Sequence, residues 1–273
     1  MSRPIRPVRV ARYAPQLADW PAALALRIVV LTDFHACEPF MNEHRMEAIC
    51  AQANGLHGDI VLLLGDYLAG PRFSRPPSGR WAKPLRLLSA PLGVHAVLGN
   101  HDYTDPHAGG AKAVEDALLQ IGIEVYINRA VRLEKDGQGF WLAGLGDQYA
   151  LRLPGQKHGL GHGVDDLDGT LAQVTTAEPV VMMAHEPDIF ATTPPKVSLV
   201  LSGHNHAGQI RVFKHAPVVP SRFGQRYLHG HVVEDARHLI VSSGLGYSGL
   251  PIRIGAPPEI VVVELGATAA HGV

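Results

Sequence analysis

Asp59-Ile60-Val61-Leu62-Leu63-Leu64-Gly65-Asp66 decides how the rest of the chain is read. Its apolar residues run without alternation, so a strand built from them is covered on both faces, as inside a parallel sheet. The run stops at a glycine, which permits a tight turn and a close backbone approach. An aspartate follows at once. The design recurs on either side. Residues 27–32 (RIVVLT) end at Asp33-Phe34-His35, and residues 93–98 (GVHAVL) end at Gly99-Asn100-His101-Asp102.

Between these runs the periodicity changes. Residues 41–54 repeat at helical spacing, with Met46, Ile49, Cys50 and Ala53 on one face. Residues 111–121 read as a second helix, with Gly122 suited to its C-terminal cap. A β-loop-α-β rhythm predicts an α/β fold with functional side chains at the carboxyl ends of strands. After Ile123 short strand candidates crowd together: 124–127, 131–135, 140–143, 179–184, 197–202, 209–213, 227–234, 238–243 and 259–265, with a hairpin tip at Asp235-Ala236. Two of them lead into motifs, His185 and Gly203-His204-Asn205-His206. Segments 71–81 and 147–169 read as long loops, expected to border the site because they follow motif-bearing strands.

The motifs span Asp33 to His206 and must meet in space, which favours one domain: an arm over 1–26, a catalytic core over 27–265 and a tail over 266–273. Apolar residues make up 46% of the 273, enough for a sizeable core. Lys and Arg number 24 against 25 Asp and Glu, without the basic excess of a dedicated nucleic-acid surface. Cys37 and Cys50 are the only cysteines, too few for a disulfide framework, which points to a reducing compartment and a cytoplasmic location. The apolar stretch 21–31 is interrupted by Arg27 and too short to span a bilayer. Ahead of it, Arg3, Arg6, Arg9 and Arg12 alternate with Pro4, Pro7 and Pro15. That pattern reads as an extended arm or edge strand, with peripheral contact to anionic lipid headgroups as the alternative.

Acids, imidazoles and an amide at strand ends are what phosphoester hydrolysis asks for. The reaction needs an activated water, neutralised phosphoryl oxygens and a proton for the leaving oxygen. Two cations about 3.5–4 Å apart supply the first two. In Asp33-x-His35 and His204-x-His206, alternate residues leaving a strand are expected to point the same way. The five motifs, in this order, resemble the calcineurin-like metallophosphoesterase superfamily. That resemblance implies a four-layer α/β/β/α sandwich of two mixed sheets flanked by helices. It implies that Asp33, His35 and His206 bind one divalent metal, that Asn100, His185 and His204 bind a second, and that Asp66 bridges both. Manganese is the expected metal, with iron or zinc as alternatives, since imidazole-rich sites suit these better than calcium. His101 takes the family's place of phosphate contact and general acid. Ala69 stands where protein Ser/Thr phosphatases carry a second acid and purple acid phosphatases a tyrosine ligand. Tyr67 is expected to pack rather than ligate.

Ala184-His185-Glu186-Pro187-Asp188, the stretch GHNHAGQIRV at 203–212, and Gly244-Leu245-Gly246 with Pro251-Ile252-Arg253 are similar to one bacterial branch. That branch resembles UDP-2,3-diacylglucosamine pyrophosphatase-like enzymes and cell-wall-associated phosphoesterases. The resemblance implies hydrolysis of a phosphodiester or pyrophosphate, small or lipid-linked. The alternatives are a cyclic-nucleotide phosphodiesterase or nuclease on the same scaffold, and a metal-binding scaffold without turnover.

Overall fold

The structure is a computed structural model that describes residues 7–77, 81–104, 109–151, 162–213 and 215–266. Among the described residues, twelve strands form two six-stranded sheets. The first has the order β1 (Arg9–Tyr13), β12 (Glu259–Leu265), β2 (Leu26–Leu31), β3 (Ile60–Leu64), β4 (Val94–Val97), β5 (Glu124–Val125). The second has the order β10 (Gly230–Glu234), β11 (Arg237–Val241), β9 (Leu199–Ser202), β8 (Val180–Met183), β7 (Gln138–Gly144), β6 (Arg129–Lys135). Strands β2 to β5 are mutually parallel, and so are β7, β8, β9 and β11. Antiparallel pairs β12·β2, β6·β7 and β10·β11 make both sheets mixed.

The unbroken apolar runs have the reason expected of them. In β3, Ile60, Leu62 and Leu64 enter the layer between the sheets, while Val61 and Leu63 enter the layer beneath helices. Strand β8 repeats this, with Val181 and Met183 inward and Val180 and Met182 outward. Helix α1 (Glu43–Asn54) covers the first sheet with Met46, Ile49, Cys50 and Ala53, and Asn42 caps it by accepting the Arg45 N–H at 3.0 Å. Helix α3 (Ala111–Leu119) adds Val114 and Leu118 to the same layer. On the outer face of the second sheet, helix α4 (Leu167–Ala172) and a 3₁₀ turn over Pro187–Ala191 supply Leu171, Ile189 and Phe190. Two mixed sheets carrying helices on their outer faces are the expected α/β architecture.

Several local expectations change. Residues 209–213 form no strand, only isolated bridges at Ile210 and Val212, because Gln209 (φ 55°) and Phe213 (φ 57°) take left-handed backbone at both ends of the run. The loop expected over 147–169 ends in α4, whose N-cap Asp166 accepts the Gly169 N–H. The proline-rich N-terminal segment contributes β1 as an edge strand, and Leu17, Trp20 and Leu24 join the core between the sheets. Arg3 and Arg6 lie outside the described residues, and Arg12 pairs with Glu264 at 3.9 Å. Asp235 and Ala236 do make a hairpin tip, at φ 49° and 60°. No helix among the described residues is long and apolar enough to cross a membrane.

Leu62 is fully buried between the sheets. Leu62→Ala should lower unfolding free energy by about 2–5 kcal/mol, read from urea denaturation. A loss under about 1 kcal/mol would show that this layer is not a closely packed core.

Candidate metal centre

Five parallel strands from the two sheets deliver the functional side chains at their carboxyl ends. Asp33 and His35 follow β2, Asp66 follows β3, and Asn100 and His101 open the short helix α2 (Asn100–Thr104) after β4. His185 follows β8, and His204 and His206 follow β9. Turns, not the strand pleat, aim these side chains. Asp33, His35, Asp66, His204 and His206 sit at φ 54°, 49°, 56°, 65° and 48°. Left-handed backbone costs a non-glycine residue about 1–3 kcal/mol and persists where surrounding structure enforces it. Here enforcement is visible. The Asp33 and His35 N–H groups donate to the Gly65 and Asp66 carbonyls, each at 3.0 Å, so the 33–36 segment runs beside 65–67 past the sheet edge.

Asp102 ties two of these strand ends together. Its Oδ2 accepts the N–H of Asp66 (2.9 Å) and of Gly99 (2.8 Å), and its Oδ1 accepts that of Tyr67 (3.0 Å). The glycines ahead of the functional residues answer to crowding. A Cβ at Gly99 would strike the Asp66 carboxylate, and one at Gly203 would strike Thr32 and the Asp33 carboxylate.

Asp33, His35 and His206 converge in one group, and Asp66, His185 and His204 in another, each with ligand-type atoms within 4.8 Å of one another. All six residues are buried. His206 Nε2 lies 3.3 Å from Asp33 Oδ1 and 3.0 Å from His35 Nε2. Asp66 Oδ2 faces His185 Nε2 at 3.2 Å and His35 Nε2 at 3.7 Å, which places it between the groups. The Asn100 side-chain oxygen is buried without a hydrogen-bond partner among the described residues. The His101 N–H donates to Asp66 Oδ1 at 2.9 Å, and the His101 ring meets that of His35 edge-on at 5.3 Å.

Hydrogen bonds fix which ring nitrogen faces the cluster. A carbonyl only accepts, so His35 Nδ1, held at 2.8 Å from the Ala69 carbonyl, carries the proton and leaves Nε2 free to ligate. His204 Nε2 donates to Pro220 (2.9 Å), with the same consequence for its Nδ1; His185 Nδ1 donates to Leu64 (2.6 Å), and although burial opposes it, Asp66 at 3.2 Å keeps a proton on Nε2 well above the usual range, which an entering cation displaces. Asp188 holds the Pro220 segment by accepting from Ser221 Oγ and the Arg222 N–H. His206 differs: its Nδ1 accepts from the Arg253 guanidinium at 2.9 Å, so Nε2 carries the ring proton and can ligate only once that proton moves to Nδ1 and the Arg253 contact gives way.

Charge follows burial and neighbours. Burial opposes ionisation of Asp66, but His185, His101 and His35 outweigh it and hold its carboxyl well below the usual range. Burial lifts Asp33 to about 6 and lowers His35 to about 4, so His35 is a neutral imidazole at physiological pH. His204 and His206 are likewise pushed down by burial. The donor set of two carboxylates, four imidazoles and an orphaned amide oxygen fits divalent cations.

Every site residue read from the sequence lies in this cluster or on its rim. Tyr67 packs as expected, stacked on Trp81 with its hydroxyl on the Val97 carbonyl. Among the described residues the adjacent cavity is walled by 204–210, 217–220 and 248–250 beside Asp66, Asn100 and His101, and none of the described residues of the two anticipated loops lines it. Segment 71–81 reaches that wall through the Arg72 N–H on the Gly249 carbonyl. Residues 147–149 sit behind the histidines, with the Tyr149 ring 5.5 Å from that of His204. Residues 78–80 and 152–161 are outside the described residues. Sequence reasoning missed Asp102, Asp147, Glu186 and Arg253 as parts of the centre. Glu186 and Asp102 stood inside quoted motifs, but nothing in their spacing separates a buried support from a surface acid.

Strand-end acids and histidines grouped as candidate metal sites, on two packed mixed sheets, define the class of metal-dependent phosphoester hydrolases. Residues 26–208 match the calcineurin-like phosphoesterase family model, and the chain belongs to that family. It is 32% identical to the Danio rerio "Transmembrane protein with metallophosphoesterase domain" over 269 residues, 95% of this chain and 58% of that protein. It is also 32% identical to the "Uncharacterized metallophosphoesterase YkuE" of Bacillus subtilis over 245 residues, 89% and 79% of the two chains. The chain thus spans little more than half of the first relative and about four fifths of the second. Among solved structures, Haemophilus influenzae NAD nucleotidase shares the fold, with TM-score 0.52 and 14% identity over 81% of this chain and 51% of that one.

The Asp33 carboxyl gives metal binding a definite pH dependence. Below its pKa of about 6 it holds a proton that an entering cation must displace. Affinity should therefore fall on acidification by up to about tenfold per unit for each displaced proton, through Asp33 below about 6 and through His185 above it, because burial is outweighed by Asp66, which keeps a proton on the His185 imidazole well above its usual range. Calorimetric titration of metal-free protein with Mn²⁺ across a pH series measures it. Affinity that rises on acidification would contradict the assignment.

Proposed function

We propose that the protein hydrolyses a phosphodiester or pyrophosphate whose leaving or retained group is apolar, with a lipid-linked substrate the best fit. The observation that carries this reading is the cavity of about 520 Å³ opening on Asp66, Asn100, His101, His204 and His206. Ile210, Pro217, Val218, Pro220 and Leu250 line the same cavity. The lining thus offers groups for phosphoryl oxygens and apolar surface for a chain. Val218 is 71% exposed, Leu250 42% and nearby Ile254 53%. Such a patch beside a site supports contact with an amphipathic surface, peripheral membrane included. The resemblance of the 184–188 and 203–212 motifs to UDP-2,3-diacylglucosamine pyrophosphatase-like enzymes points the same way.

Asp33, His35 and His206 would hold one divalent ion, and Asn100, His185 and His204 a second, with Asp66 shared. Manganese is the favoured ion. When bound, the ions supply positive charge for the phosphoryl oxygens and activation of a water. The residues themselves do the rest. Asp66, held ionised by three imidazoles, keeps the two groups at a common centre. His101 stands on the cavity wall with its backbone anchored to Asp66, in position to give a proton to the leaving oxygen. The apolar wall orients the substrate so that this oxygen faces His101.

A substrate panel with Mn²⁺ tests the reading. It compares UDP-diacylglucosamine, bis-p-nitrophenyl phosphate, p-nitrophenyl phosphate and cyclic nucleotides. Preference for the acylated substrate supports the proposal, and preference for cyclic nucleotides overturns it.

The role of His101 is read from leaving groups. A p-nitrophenolate departs without a proton and an alkoxide does not. His101→Asn should keep metal content, cost little with p-nitrophenyl esters, and cost on the order of 10²-fold or more with alkyl esters. Equal losses for both would assign His101 to phosphate binding alone.

A further inference from the structure

Two phenylalanines stand where both the backbone and the solvent penalise them. Phe73 is 87% exposed and Phe213 99%, and both take left-handed backbone, at φ 69° and 57°. Each sits in a tight turn. The Ser74 N–H donates to the Pro71 carbonyl at 3.1 Å, which makes Phe73 the third residue of a four-residue turn. A positive φ at that place normally calls for glycine or asparagine. Val212 and His215 exchange both backbone hydrogen bonds, at 3.0 and 3.1 Å, so Phe213 is the first residue of a two-residue hairpin loop. Asparagine, aspartate or glycine is the usual choice there. An aromatic ring at either position adds strain and puts apolar surface in water, and neither ring lines the cavity.

The two turns belong to one rim beside the cavity. The Arg72 N–H donates to the Gly249 carbonyl at 2.8 Å, which joins the 71–74 turn to the 248–250 segment. The Gln209 side-chain amide donates to the Ser248 and Leu250 carbonyls at 2.8 and 2.9 Å, which joins that segment to the base of the 212–215 hairpin. Val212, Val218, Leu250 and Ile252 are exposed on the same segments. Charge on this rim has one sign. Segments 69–77, 207–222 and 244–258 contain no Asp or Glu and carry Arg72, Arg75, Arg211, Lys214, Arg222 and Arg253, in a chain whose acids and bases balance. Arg222 is paired with Asp188, and Arg253 is held by carbonyls and His206. Arg72, Arg75 and Arg211 make no ion pair among the described residues, and Arg72 and Arg75 are exposed. Glu38, whose backbone bridges that of Arg75, is half-buried.

We propose that this rim docks on the surface of an anionic lipid bilayer, with Phe73 and Phe213 as the inserting anchors and Arg72, Arg75 and Arg211 meeting the headgroups. Rings on separate turn tips enter the headgroup and acyl boundary without any change of fold. Each arginine near a negatively charged leaflet adds about fivefold to the affinity. A rim that is basic and apolar, with no acid in its segments, matches a surface of uniform negative charge better than the mixed charges of a folded partner. The inference deepens the lipid-linked reading of the site and rests on it for its purpose. A substrate held in the bilayer would reach the cavity, and His101 within it, without crossing water.

Co-sedimentation of the full chain with vesicles tests the inference. The vesicles are phosphatidylcholine alone, or phosphatidylcholine with about 30% phosphatidylglycerol, each at low and high salt. Wild type should bind the anionic vesicles at least about tenfold more tightly than the neutral ones, and lose most of that preference at high salt. Phe73→Asn combined with Phe213→Asn should weaken binding to anionic vesicles by about tenfold or more. Asparagine tolerates left-handed backbone, so this variant should keep or raise its melting temperature, which a structural role for the rings would not allow. Arg72→Gln combined with Arg75→Gln should remove most of the preference for anionic lipid, and carries the test if the first variant fails to fold. None of the four residues lines the cavity, so hydrolysis of bis-p-nitrophenyl phosphate in solution should be unchanged in both variants. Wild type that binds neither kind of vesicle would overturn the inference, and so would binding unaltered in both variants. A wild-type dimer that the phenylalanine variant dissolves would also overturn it, by assigning the rim to a second copy of the chain. Vesicle binding is measured without turnover, so failure of the lipid-linked reading in the substrate panel is a separate result.

Discussion

One buried negative charge, on Asp66, organises this protein. It sits almost without solvent contact, faced by His185 and His35 and by the N–H of His101. A carboxylate in that position is costly unless met by donors or cations. The surroundings meet it from two sheets at once: β2, β3 and β4 from the first, and β8 and β9 from the second. The two sheets are thus joined by polar contacts at one rim and by apolar packing elsewhere.

Holding that rim requires unfavourable backbone, and the chain offsets it with a second tier of contacts. The Asp102 carboxylate accepts three N–H groups from the 66 and 99 turns. Asp188 collects Tyr149, Ser221 and Arg222, and so fixes the carbonyl that holds His204. Arg253 donates to the Ser243, Gly246 and Ala256 carbonyls and to His206. Each support reaches a segment remote in sequence, 66–67 for Asp102, 221–222 for Asp188 and His206 for Arg253. Orientation of the imidazoles is therefore a property of the whole fold rather than of any motif.

That distribution explains what the sequence disclosed. The strands of the core were legible because burial on both faces forces unbroken apolar runs, as in Ile60–Leu64 and Glu259–Leu265. The ligand-type residues were legible because the strand-end position and the preceding glycine are local features, at Asp66, Asn100 and His204. The supports were not, since a buried Asp147 and an exposed Asp136 look alike until the chain is folded. The reasoning about Asp33 and His35 reached the right convergence by the wrong route, as left-handed turns and not the pleat aim them. The strand expected over 209–213 failed for the same reason: its apolar alternation carries no sign of the left-handed residues that break it. The apolar cavity wall was equally hidden, because Ile210, Val218 and Leu250 come from three separate segments.

The central claim is that two divalent cations meet at Asp66. Diffraction from crystals loaded with Mn²⁺, collected at the manganese absorption edge, tests it most directly. The account predicts two anomalous peaks about 3.5–4 Å apart. One should be bounded by Asp33, His35 and His206 and the other by Asn100, His185 and His204, with the Asp66 carboxylate between them. A single peak, or peaks remote from Asp66, would contradict it.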